Sequence, residues 1–256
     1  MFEFSLVDVI YVVLIGVILC ILVCLISMLS NAGKELKSRK TILKHCPFDN
    51  SHLLSDITLY LNASNTTQID HVLLTRQGLY VIEEKNYNGL LEGRLFEKQW
   101  RKSIRGQSIL LGNPFRQNIA HIHGIKRALK SNDIECINVV LINGKCQYRG
   151  PNKPEWLCFG VLEMVNKMRQ QDSFTRFTPD ELDAIKAALI QACLPKTLLT
   201  DLGHIISVSR KHHKKIPIVV LVSYYALRMQ NIIMNGIISF LGWKNKTDLR
   251  KVSKKK

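Results

Sequence analysis

Charge is absent from Val9 to Leu29, a run of 21 residues diluted only by Gly16 and Ser27. That length matches the roughly 20 residues a helix needs to cross a bilayer core. The residues ahead of it are acidic, the run is long, and no small-x-small site follows, which argues against a cleaved signal peptide. Beyond residue 46 the apolar positions come in shorter groups. Ile57–Leu61, Gln68–Thr75 and Leu79–Lys85 have strand character, with Arg76-Gln77-Gly78 as a tight turn between the last two. Asn88-Gly89 marks a further turn, and a shorter strand is expected over Leu90–Phe96. Pro114 opens a helical pattern to about Lys130, with Ile119, Ile122, Ile125 and Leu129 on its apolar stripe. Cys136–Ile142 (CINVVLI) is apolar apart from Asn138, the pattern of a strand covered on both faces. A strand over Trp156–Gly160 and a helix over Leu162–Met168 follow. Thr178-Pro179-Asp180-Glu181 is a capping box that opens a helix to about Cys193.

The apolar character returns between Pro217 and Trp243, but in stripes. Tyr224, Arg228, Asn231, Asn235, Ser239 and Gly242 recur three or four residues apart, which is one face of a helix. Charge decides how this helix is expected to lie. Residues 1–33 carry −2, 34–45 carry +4, 46–203 carry +3 and 204–256 carry +11, giving +16 for the 256 residues. Both flanks of 217–243 are basic, so an amphipathic helix in the plane of an anionic lipid surface is favoured over a second crossing. Lys34, Lys37, Arg39, Lys40 and Lys44 follow the first apolar run and place its C-terminal side in the cytoplasm. The expected organisation is a transmembrane anchor (1–33), an α/β domain (34–203) and a basic C-terminal region (204–256). It is expected at the cell inner membrane, single-pass, with the N-terminus outside and the α/β domain in the cytoplasm.

Composition narrows the chemistry. Hydrophobic residues make up 46% of the chain, too many for a disordered one. Seven cysteines, an odd number without a C-x-x-C pair, argue against a disulfide scaffold or a zinc ribbon. The residues with chemical potential lie in the first hairpin. Residues two apart on a strand share a face, so Glu83 and Lys85 point one way and Glu84 the other. Asp70 lies on the neighbouring strand in an otherwise apolar run. Two carboxylates and an amine make a candidate site for Mg²⁺ or Mn²⁺, which polarise a phosphodiester and lower the pKa of a bound water. Without further support the same pattern is often a solvated strand edge. His71 alternates away from Asp70 and is expected to pack in the core. His121 and His123 lie two apart on a helix and cannot share a metal. Trp100 and Tyr87 are expected as packing and turn residues.

The stretch TTQIDHVLLTRQGLYVIEEKNYNG (66–89), Trp100 and NPFRQNIAHIHGIKRAL (113–129) resembles the nuclease-related domain, a branch of the PD-(D/E)xK nuclease superfamily. FTPDELDAIKAAL (177–189) resembles that domain's closing helix. The resemblance implies a central mixed sheet flanked by helices. It implies Asp70 and Glu83 as metal ligands, Lys85 as the catalytic amine and Gln117 as a supporting residue. Gly33-Lys34-Glu35 resembles the family's helix start, which makes Glu35 a further candidate ligand beside the membrane helix. Arg101, Lys102 and Arg105, expected on a loop, are candidates for phosphate contact. Two functions follow from this: a membrane-anchored, Mg²⁺-dependent nuclease acting on DNA, or a non-catalytic module that binds nucleic acid or protein at the membrane.

Overall fold

The computed structural model describes residues 11, 37–48, 51–171, 175–211 and 225. Helix α1 covers 37–45. It is followed by β1 (His52–Tyr60), β2 (Thr66–Thr75), β3 (Gly78–Lys85), β4 (Gly89–Glu92), β5 (Gln99–Ile104), β6 (Gln107–Gly112) and α2 (Pro114–Ala128). Then come β7 (Cys136–Ile142), β8 (Cys146–Tyr148), β9 (Leu157–Phe159), α3 (Val161–Gln170), α4 (Pro179–Ala192) and α5 (Leu198–Lys211). The strands form two mixed sheets, ordered β1-β2-β3-β7-β9 and β6-β5-β4-β8.

The described residues divide into two compact units. The first takes residues up to Ser55, Asp70–Asn118 and Glu135–Asp183; the second takes Asp56–Ile69, Ile119–Ile134 and the chain from Ala184. The core of the first is built on β3 and β7, which pair in parallel from Leu79↔Cys136 to Lys85↔Ile142. Strand alternation sends successive β7 side chains to opposite faces. Val139 and Leu141 join Leu73, Tyr80 and Ile82 under Ile42 of α1 and Val161, Met164, Val165 and Met168 of α3. Val140 and Ile142 join Leu157, Leu91, Trp100 and Phe115 on the other face. Two covered faces explain why β7 reads as an apolar run interrupted only by Asn138.

In the second unit Thr67 Oγ1 and His121 Nδ1 lie 2.5 Å apart, and Leu194 N–H donates to Thr58 O at 2.9 Å. Gly124 lets α2 approach this strand closely: a Cβ there would sit 2.9 Å from Thr67 Cγ2.

Local chemistry sets the boundaries. Asn113 caps α2, accepting the Phe115 N–H at 2.9 Å on Oδ1 while Pro114 occupies the first helical position. The capping box at α4 forms in both directions, Glu181 N–H to Thr178 Oγ1 at 3.3 Å and Thr178 N–H to Glu181 Oε2 at 2.8 Å. β1 begins five residues before the expected Ile57. The strand expected over Leu90–Phe96 stops at Glu92. At Gly93 the Trp100 indole packs so closely that a Cβ would come within 2.2 Å of Cδ1. The segment expected as a loop carrying Arg101, Lys102 and Arg105 is instead the β5–β6 hairpin, paired from Gln99↔Gly112 to Ile104↔Gln107. β8 and α5 were also not expected. Among the described residues no helix is long and apolar enough to cross a membrane. The two stretches expected at the membrane, 9–29 and 217–243, lie outside the described residues except for Tyr11 and Tyr225.

Candidate active site

β2 and β3 pair antiparallel from Thr75↔Gly78 to His71↔Ile82. Asp70 and Glu83 are the next residues on their strands. Glu83 is 1% exposed, and its Oε1 pairs with the Lys85 ammonium. Asp70 Oδ2 accepts the Glu84 backbone N–H at 2.7 Å. The structure therefore brings Asp70, Glu83 and Lys85 together in the first unit.

Electrostatics give each group a distinct state. Burial, and next the Glu83 charge, push the Asp70 carboxyl from 3.8 up to about 7, against the opposing pull of the Glu84 N–H, Lys85 and His71. Burial acts against the Lys85 ammonium as the largest single effect. Attraction and hydrogen bonding from Glu83, with help from Tyr87 and Asp70, still hold its pKa above the ordinary value. The site thus contains a firmly protonated amine and a carboxyl balanced near neutrality.

The opposite face of β3 holds a second polar cluster, which sequence patterning did not reveal. Glu84 Oε1 accepts from Ser38 Oγ at 2.9 Å and Asn143 Nδ2 at 2.8 Å; Glu84 Oε2 lies 3.2 Å from His71 Nε2. His71 Nδ1 is 2.8 Å from Ser55 Oγ. Burial works against the Glu84 charge, but these hydrogen bonds outweigh it and hold its pKa below the ordinary range. Ser38 and Asn143 lie 46 and 59 residues from Glu84, so only the fold could bring them there. His71 is buried, as alternation predicts, and its partners are polar.

The other candidates are placed less closely. Gln117 is exposed on α2, and among the described residues its side chain makes no hydrogen bond to the carboxylates. Its neighbour Asn118, which sequence reasoning passed over, is buried and donates from Nδ2 to Val81 O at 2.7 Å, Asn138 Oδ1 at 2.9 Å and Val139 O at 3.1 Å. Asn118 therefore fixes α2 on the β3–β7 seam two residues before Glu83. Glu35 lies outside the described residues. Arg101 and Lys102 lie on β5 and Arg105 at the hairpin turn, with Lys102 Nζ 5.5 Å from the Tyr87 ring centroid.

Among the described residues no group of three or more His, Cys, Asp or Glu is arranged to hold a metal. The carboxylate pair nevertheless suits a hard cation such as Mg²⁺, which keeps several waters and takes one or two carboxylates beside substrate phosphates. The Asp70 carboxyl, raised first by burial and then by the Glu83 charge, is one whose ionised form such an ion would favour.

Residues 30–143, from before α1 to the end of β7, match the family model of the nuclease-related domain. Over this segment the chain is similar to a nuclease-related domain. Placement in the PD-(D/E)xK superfamily is consistent with its mixed sheet. An uncharacterized protein of Bacillus anthracis is 31% identical over 121 residues, 47% of this chain and 56% of that protein. The chain thus spans little more than half the length of this curated relative. No solved structure matches it. The matched segment contains Asp70, Glu83, Lys85 and Gln117, as well as Ser38, His71, Glu84 and Asn143 of the opposite-face cluster.

Proposed function

We propose that this protein is a metal-dependent nuclease that hydrolyses phosphodiester bonds in nucleic acid, with DNA as the substrate. The observation that carries this is the Asp70 carboxyl near neutrality beside buried Glu83, with the Lys85 ammonium in contact. Asp70 and Glu83 would hold Mg²⁺ or Mn²⁺. When bound, the ion supplies polarisation of the phosphoryl oxygen and a lowered pKa for an attacking water. Asp70 must lose its proton before it can serve as a ligand. Lys85 stays charged and offsets negative charge developing on the phosphoryl oxygens, a role that needs no movement because Glu83 already fixes it. Asn118 holds the strand that carries Glu83.

Proton linkage tests this assignment. Mg²⁺ or Mn²⁺ binding at pH 6 should release close to one proton, and at pH 8.5 almost none, because Asp70 titrates near 7. Calorimetry in two buffers of different ionisation enthalpy measures that number. Equal release at both pH values would show that Asp70 is not a ligand.

The location we propose is the cytoplasmic face of the inner membrane, with 9–29 as anchor and 217–243 as a lipid-surface segment. Its support is the uncharged run and the cations that follow it. Residues 1–33 fused to a soluble reporter should resist carbonate extraction, and release by carbonate would remove the anchor. A non-catalytic binding module is the second reading, favoured by the limit of two carboxylates among the described groups.

A further inference from the structure

We propose that the β5–β6 hairpin is the arm by which this domain grips nucleic acid, its cations taking phosphates and its aliphatic residues lying against sugars and bases. This rests on the nucleic-acid substrate proposed above and names the element that engages it. Residues 99–112 contain Arg101, Lys102 and Arg105 and no acidic residue. β6 is the edge strand of its sheet, carries no charge and leaves Ile109 50% and Leu110 61% exposed; Ile104 on β5 is 44% exposed. Uncharged exposed edge strands invite pairing or aggregation, so natural proteins protect them or use them.

The arm is rigid where it joins the domain. Trp100 is 1% exposed, packs 5.9 Å from Phe115 and 6.1 Å from Tyr148 between ring centroids, and donates from Nε1 to Arg94 O at 2.8 Å. Arg105 (φ 49°) and Gly106 (φ 79°) close the tip as a two-residue turn of the type that matches strand twist. Ser103 and Ser108 hydroxyls bridge the strands at 2.7 Å.

The register decides among polyanionic partners. Arg101 pairs with Leu110, and one step along, Lys102 pairs with Ile109. Neighbouring pairs face opposite sides of the ribbon, so each side carries a cation beside an aliphatic residue. A flat bilayer would have to bury a cation whichever side it met. A nucleic-acid groove accepts both, since a two-stranded ribbon fits the major groove and aliphatic wedges pack against base steps. A second copy would bring three cations against three. Continuity with the carboxylate pair adds a further reason. Lys102 lies over Tyr87, and Tyr87 sits close enough to Lys85 and Glu83 for their charges to act on its hydroxyl, after burial. A strand gripped by the hairpin is thereby led toward Lys85.

The test is binding of a fluorescent 30-base-pair duplex by the full chain in detergent, with EDTA present so that cleavage cannot intervene. Arg101→Gln/Lys102→Gln/Arg105→Gln together should weaken binding roughly tenfold or more and reduce the salt slope by about 2–3, near 0.9 per lost phosphate contact. Ile109→Ser/Leu110→Ser should weaken it severalfold with the slope unchanged. Unchanged melting of both variants excludes misfolding. An unaltered affinity and slope in the triple variant overturns the proposal. So does loss of binding to phosphatidylglycerol vesicles without loss of duplex binding, which would assign the arm to lipid. Cleavage with Mg²⁺ is read separately. Loss of duplex binding in the triple variant with no cleavage by wild type leaves the arm standing and removes the nuclease. Equal binding and cleavage by both does the reverse.

Discussion

Glu83→Gln should lower Mg²⁺-dependent cleavage by roughly 10²–10³-fold or more, the scale expected when a charged group acting on the transition state is removed. The amide fits the strand but ligates a hard cation far more weakly. Losing the Glu83 charge also removes one cause of the raised Asp70 pKa, so Asp70 should titrate lower in this variant. Lys85→Ala should also stop cleavage, yet leave metal affinity equal or slightly higher, because a nearby positive charge is gone. Glu84→Gln separates the two faces of β3. Its carboxylate is held by Ser38, Asn143 and His71, so replacement should cost about 1–3 kcal/mol of stability while most activity remains. Cleavage rates of the three variants check this directly. Equal inactivity of Glu84→Gln and Glu83→Gln, with the fold intact, would place the chemistry on the wrong face.

Asp70→Asn should stabilise the metal-free protein while abolishing cleavage. Between pH 3.8 and about 7 the folded state binds more protons at Asp70 than the unfolded state does. Stability therefore falls as pH rises through that window, and above it the ionised group carries the full penalty. At about 1.4 kcal/mol per pKa unit, the rise from 3.8 to about 7 corresponds to roughly 4 kcal/mol at most. In EDTA at pH 8 the variant should melt on the order of 5–10 °C above wild type, with little difference near pH 4. Saturating Mg²⁺ should close the gap by stabilising only the wild type. Thermal melts at the two pH values, with and without the ion, check each sign. A variant less stable than wild type at pH 8 in EDTA would mean that Asp70 is not strained.

What the chain reveals before folding depends on the reach of each interaction. Alternation in Val81–Lys85 correctly separated Glu83 and Lys85 from Glu84, because side-chain direction on a strand is local. The same holds for the capping box at Thr178. The apolar run Cys136–Ile142 revealed its own burial. The β5–β6 hairpin escaped notice because Arg105-Gly106 is a weaker turn signal than Asn-Gly, and because cations and aliphatics share both of its faces. α5 was hidden in the approach to a strongly basic tail. Ser38, Asn143 and Asn118 could not have been found as site-supporting residues, since their partners are 46, 59 and 37 residues away. The cause of the raised Asp70 pKa, burial next to Glu83, likewise exists only in the fold.

The most direct measurement is cleavage of supercoiled plasmid, linear duplex and RNA by the detergent-solubilised full chain, with Mg²⁺, Mn²⁺ or EDTA. The account predicts metal-dependent cleavage of DNA, suppressed by EDTA and rising from pH 6 to 8 as Asp70 ionises. Binding of these substrates without cleavage of any, at any pH and with either ion, would contradict it.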